Sequence, residues 1–188
     1  MARASSRLGT VGVVARFKPV HLAHAAMLAS LAARADRLRI GLGSVNRHDL
    51  RNPFTARESA DMVDLVLAGT GGRHEIVEVP DLDDGPRWRL LARDLLGPLD
   101  LFVTANEYVR ELLGDLYPTV HPATLVPRAL KVPVDGTMVR RAMARGEDWE
   151  RLVPPAVARY LTERGLVERF RREFGLATLA LDLAGAGR

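Results

Sequence analysis

Two histidines, His21 and His24, sit three residues apart in a short segment that also carries Arg16 and Lys18. The segment follows the apolar run at 10–15, which reads as a buried strand. It leads into an alanine- and leucine-rich stretch at 21–34, which reads as a helix. That order puts both imidazoles on one face of the helix's first turn. Unpaired N–H groups and the positive end of the helix dipole make such a turn a natural phosphate site. Two imidazoles, Arg16 and Lys18 together suggest an electropositive pocket; the competing reading is a core histidine beside a merely polar one. A second segment, Asp135-Gly136-Thr137-Met138-Val139-Arg140-Arg141, opens another helical pattern. Gly136 permits a tight turn, Thr137 reads as the N-cap, and Arg140 one turn on can grip a polyphosphate bidentately. A plain capped surface helix is the alternative.

These residues need a scaffold, and the hydrophobic pattern supplies one. Strands are expected at 10–15, 37–43, 75–79, 99–104 and near 120–127. Helices are expected at 21–34, from a Thr55–Glu58 capping box to about 67, at about 87–96, at 107–113, and in two or three pieces over 137–174. Residues 175–188 read as a frayed helix or a flexible tail. Alternating strands and helices indicate an α/β fold with a parallel sheet and C-terminal helices. Ligands of such sheets bind at the carboxyl ends of the strands, where the polar segments 16–24, 43–54 and 104–106 fall.

Composition narrows the function. The 188 residues suit one domain over 1–188, with a core at about 10–172, and 47% hydrophobic against 27% charged residues is ordinary for a soluble protein. Without cysteine there is no disulfide, thiol catalysis or Cys-based zinc site. The basic N-terminus lacks the apolar core of a signal peptide, and no apolar run is long enough to span a membrane, so a cytoplasmic chain with no membrane partner is expected. A net charge of +4 favours anionic partners. The cations are nearly all arginines scattered along the chain, and aromatics are only 5%, so a stacking platform for nucleic acid is poorly supported. His48, His74 and His121 show no metal-ligand spacing, and no protein metal site is expected.

The segment Ala15–His24 resembles the GxFxPxHxGH signature of the nucleotidyltransferase superfamily, in the form seen in archaeal-type nicotinamide mononucleotide adenylyltransferases. Ala15 and Ala23 stand where glycines are usual, and Lys18 where glutamine is. Residues 134–141 resemble the ISGTxxR motif, with Asp135 for serine. Residues 51–56 resemble NPFTAGER, with Arg57 and Ser59 for its last glycine and arginine. Residues 80–88 resemble an acceptor loop, VPDIxxNxxW, with Gly85 for the asparagine that reads the carboxamide. Thr104-Ala105-Asn106 resembles an SGN segment, and 146–157 and 165–169 resemble the family's C-terminal helices, where Trp149 reads as a packing anchor.

The resemblance implies a Rossmann-like nucleotidyltransferase that transfers AMP from ATP to nicotinamide mononucleotide (NMN), with Mg²⁺ accompanying the triphosphate. It implies His21, His24, Arg16 and Arg140 at the reacting phosphates. Phe17, Lys18, Gly136, Thr137 and Asn106 would lie around the nucleotide, and Arg51, Asp81 and Trp88 around the acceptor. It also implies a homo-oligomer. The departures leave open a related adenylyl- or cytidylyltransferase with another phosphorylated acceptor, or a non-catalytic nucleotide-binding regulator.

Overall fold

The computed structural model describes residues 7–186; the N-terminal residues 1–6 and the last two lie outside the described residues. The expectation of no signal peptide rests partly on that N-terminal stretch.

Five parallel strands form one sheet in the order β3-β2-β1-β4-β5. They are β1 (Thr10–Ala15), β2 (Arg37–Gly43), β3 (His74–Val79), β4 (Leu101–Val103) and β5 (Thr119–Val120). The chain moves outward from β1 through β3, then returns to the other side of β1 at β4. The direction therefore switches between β1 and β4, where such sheets open a ligand crevice. Two expected strands shrink. The fourth loses its flanks, and the fifth is two residues long because Pro122 opens a 3₁₀ turn directly after it, with His121 as its cap.

Period-two alternation gives each strand two packing faces. Val11, Val13, Leu38, Ile40 and Leu42 face a large core with Leu28, Leu31, Met62, Val139 and Val157. That core lies under α1 (Leu22–Ala32), α2 (Ala56–Leu67), α5 (Gly136–Arg145), α6 (Pro155–Glu163) and α7 (Leu166–Phe170). Phe102 faces the other way, into a smaller core with Leu96, Leu113 and Tyr117 under α3 (Gly85–Leu96) and α4 (Glu107–Leu113). Trp149 is 3% exposed in the large core.

The helix starts explain the functional loops. Thr55 and Glu58 form the expected capping box of α2. Arg169 from α7 then clasps Glu58 with both terminal nitrogens, at 2.6 and 2.7 Å, and bonds the Pro53 carbonyl. The α7 helix thus fixes the loop that carries Arg51. The α3 helix begins two residues earlier than its pattern suggests, because Asp84 caps it by accepting from the Arg87 N–H. Residues 176–186 form a helix, α8 (Leu176–Ala186), which follows α7 through a π turn at Arg171–Gly175 and packs on α5. Its Asp182 pairs with Arg141 and, at 2.8 Å, with Arg145 of α5.

Candidate active site

His21 lies just outside α1 and caps it, so the expectation of a first-turn histidine is corrected by one position. Its Nδ1 accepts from the His24 N–H at 3.4 Å, which leaves Nε2 as the ring's donor when neutral. The two imidazoles stack with centroids 3.7 Å apart. Behind them Phe17, fully buried, packs tilted against His24 at 4.7 Å. Phe17 has φ +52, a conformation that costs energy in a side-chain-bearing residue and belongs to sharp functional turns. The Phe17 ring is a support for His24.

The electropositive pocket does not draw its charge from the histidines. Burial pushes His21 down to about 4, with Arg140 adding to the shift and Asp135 opposing it. Burial, reinforced by His21, holds His24 well below the ordinary imidazole range. Both rings are neutral at physiological pH and offer hydrogen bonds. The positive charge comes from arginines and from Lys18. Burial lowers the Lys18 ammonium, and its Nζ donates to the Ser44 carbonyl at 2.9 Å. Lys18 therefore pins the β2–α2 loop to the histidine loop.

Asp135, not Thr137, caps α5: its carboxylate accepts from the Met138 N–H at 2.8 Å. Both residues are good caps, and the helix takes the earlier one. The cap holds the Asp135 carboxylate on the helix backbone, and Asp135 still lines the cavity beside Thr137 and Arg140. Thr137 becomes the second residue of α5, with its hydroxyl 3.4 Å from Arg140 Nη2. Arg140, 9% exposed, donates from Nη1 to the Lys18 carbonyl at 2.9 Å, across 122 residues of sequence. A Cβ at Gly136 would lie 2.9 Å from that nitrogen, so glycine leaves room for the guanidinium.

Arg16, Arg51, Thr137 and Arg140 line two adjoining cavities of about 230 and 370 Å³. Burial, with the charge of Arg16 and Arg51 added, pushes Arg140 down to about 10, so it remains charged at neutral pH. Three guanidiniums around one space repel each other, and a bound polyanion relieves that repulsion. The larger space is closed on one side by Thr178 and Leu181 of α8, in the stretch expected to be a frayed helix or a tail.

A third cavity, of about 490 Å³, opens between the ends of β1 and β4. Apolar Val13, Met27, Val103 and Val126 line it beside Ala23, Asn106, His121 and Lys131. Asn106 also caps α4 by accepting from the Val109 N–H. A fourth, of about 300 Å³, lies between the starts of α3 and α4, walled by Trp88, Tyr108 and the acidic loop Asp81–Asp84. Asn46 binds both the N–H and the carbonyl of Asp81, at 2.8 and 2.9 Å, which ties this loop to the β2–α2 loop. Among the described residues, no three His, Cys, Asp or Glu side chains converge as a metal cage.

The nicotinamide-nucleotide adenylyltransferase of Methanosphaerula palustris is 31% identical over 169 residues, covering 89% of this chain and 99% of the relative. That of Methanocorpusculum labreanum is 33% identical over 161 residues, covering 85% and 94%. The chain belongs to the nicotinamide-nucleotide adenylyltransferase family. No protein-family model matches the chain. A solved structure, the bifunctional NMN adenylyltransferase/ADP ribose pyrophosphatase of Francisella tularensis with AMP and a manganese ion, superposes with a TM-score of 0.74 at 15% identity. The match covers 94% of this chain and 55% of that one, so the chain spans about half of the bifunctional protein and shares its nucleotidyltransferase fold.

Within this family member, the structure gathers Arg16, Phe17, Lys18, His24, Arg51, Gly136, Thr137 and Arg140 around one pair of cavities, and Asp81 and Trp88 around another, while His21 is buried behind His24 and lines none of these cavities. His48 stands elsewhere, on Glu173 at 3.3 Å and edge-on to Phe174. His74 pairs with Asp64 at 2.8 Å. His121, which shows no metal-ligand spacing in the sequence, both caps its 3₁₀ turn and lines the 490 Å³ cavity. Tyr108, Lys131 and Thr178 also escaped the sequence reading; each is brought to a cavity by an element whose own motif says nothing of ligands. Among the described residues, no helix is long and apolar enough to cross a membrane.

The neutral histidines carry a pH signature. An unfolded imidazole titrates near 6.5, so between about 6.5 and 4 the unfolded chain binds a proton that folded His21 refuses. The contribution is complete above the unfolded value, so stability is expected to be level there and to fall as the pH drops through this window. Burial notwithstanding, Arg169 holds the Glu58 carboxyl below its usual 4.5, so its own loss comes only at lower pH. The check is the thermal unfolding midpoint against pH for the wild type and His21→Gln: the substitution flattens the slope within the window. An equal slope in both proteins removes His21 as its source.

Proposed function

We propose that the chain transfers AMP from ATP to NMN, forming NAD and releasing pyrophosphate. One observation carries this reading: Arg16 and His24 line both the mainly apolar 490 Å³ cavity and the arginine-rich 230 Å³ cavity. An α-phosphate is the point where a nucleoside joins a polyphosphate, and that junction is where these two residues stand.

In this reading the nucleoside occupies the cavity beside Asn106, and the β- and γ-phosphates lie among Arg16, Thr137 and Arg140. The divalent ion, Mg²⁺, enters with the triphosphate as part of the substrate. The acceptor's ring lies against Trp88, and Arg51 meets its phosphate. An anionic phosphate oxygen of NMN attacks the α-phosphorus in line. The bond from that phosphorus to the oxygen bridging to the β-phosphate breaks, and the electron pair leaves on pyrophosphate. The acceptor is already an anion, so no general base is needed, and neutral imidazoles suffice as donors to the α-phosphate. Catalysis is then positioning and stabilisation of charge on the phosphates.

The test is pyrophosphate release with Mg²⁺, pairing ATP or CTP with NMN or nicotinate mononucleotide, with products identified by mass. ATP with NMN is expected to yield NAD. Silence with both acceptors while ATP still binds would mean that the chemistry serves another acceptor or has been lost.

A further inference from the structure

We infer that the hydroxyl of Tyr108, seated where Gly85 lacks a side chain, is the group that distinguishes a ring bearing an amide from one bearing a carboxylate in the 300 Å³ cavity. The inference rests on the transfer reaction proposed above and names the residue pair that sets its acceptor. Gly85 is the first residue of α3, and Tyr108 lies in the first turn of α4. A Cβ on Gly85 would lie 2.1 Å from Tyr108 Oη and 3.2 Å from Cζ. No side chain at position 85 can coexist with this placement of the tyrosine, so the two residues form a matched pair.

The hydroxyl is available. Tyr108 is 58% exposed, and its Oη makes no hydrogen bond among the described residues. The neighbouring polar groups are engaged elsewhere. Asp84 caps α3, Asp83 pairs with Arg47, and Asp81 lies 3.8 Å from Arg47. Trp88, half-buried on the small core, supplies a flat wall. A planar ring stacked there would meet one uncommitted neutral group able both to donate and to accept.

Charge then decides which ring substituent is accepted. Three carboxylates with one paired arginine leave the loop net negative, which repels a carboxylate-bearing ring and suits a cationic pyridinium with a neutral amide. The tyrosine hydroxyl can donate to the amide carbonyl or accept from its NH₂.

The experiment measures kcat/KM for NMN and for nicotinate mononucleotide at saturating ATP, in the wild type, Tyr108→Phe and Gly85→Ala. The wild type is expected to favour NMN. Tyr108→Phe is expected to lose about tenfold on NMN with little change on nicotinate mononucleotide and no change in the ATP KM. Gly85→Ala, which displaces the ring without removing it, is expected to give the same shift, with no further loss in the double variant. An unchanged ratio of the two acceptors in Tyr108→Phe, or a wild-type preference for the carboxylate, overturns the inference while NAD synthesis stands. A wild type that converts neither acceptor overturns both.

Discussion

Replacing His24 by alanine is expected to lower turnover with ATP and NMN by about 10²–10³-fold, the usual loss for one donor to developing charge, while the protein stays folded. The structure separates these two outcomes. His24 is the third residue of α1, where alanine is a good helix former. Its Nδ1 is sealed from solvent without a partner, so removing the ring also removes an unsatisfied polar atom. What is lost in folding is the stack on His21 and the contact with Phe17. Because the imidazole is neutral, its part is donation in the transition state. kcat is therefore expected to fall with the ATP KM nearly constant, and the wild-type rate to show no inflection near pH 6.5 from this group. Steady-state kinetics beside a thermal unfolding curve decide the matter. Unchanged turnover removes His24 from the reaction; a lost fold makes it a core residue.

The sequence makes the frame of this site legible because its signals are local. The run at 10–15 pairs on both sides and becomes β1, the centre of the sheet. The Thr55–Glu58 pattern is a complete capping box. The three polar segments at strand ends all reach cavities, since an open parallel sheet leaves little choice. What the sequence does not carry is settled through space. Asp-Gly-Thr offers two caps two residues apart; the structure uses Asp135 and leaves Thr137 beside Arg140, which reaches the Lys18 carbonyl. That the histidines are held neutral is not legible in the sequence, because burial has no sequence signature. Residues 175–188 read as a frayed helix or a tail because their pattern is apolar and uncapped; Asp182 reaches Arg141 and Arg145 only once α5 has folded beside α8. Gly85 reads as a lost contact, and only the structure shows Tyr108 in its place.

The second large effect is at Arg140. Arg140→Ala is expected to reduce kcat/KM for ATP by about 10²–10³-fold and to destabilise the fold as well. The stability cost has a definite source: the Lys18 carbonyl loses the donor at 2.9 Å, and an unsatisfied buried acceptor costs about 1–3 kcal/mol. Part is offset, because burial, with the charges of Arg16 and Arg51 added, already pushes the guanidinium down to about 10. Arg140→Lys separates the two contributions. It retains a positive charge but not the planar fork that reaches the Lys18 carbonyl with one nitrogen and Thr137 with another. If Arg140 binds polyphosphate through that fork, lysine restores less than a tenth of the lost activity while recovering part of the unfolding midpoint. If charge alone matters, lysine restores most of the activity. If Arg140 is only a strut between α5 and the histidine loop, activity in both variants follows the fraction folded, and the phosphate grip belongs to Arg16 and Arg51. Activity per folded molecule, measured at a temperature where all three proteins are native, distinguishes these cases.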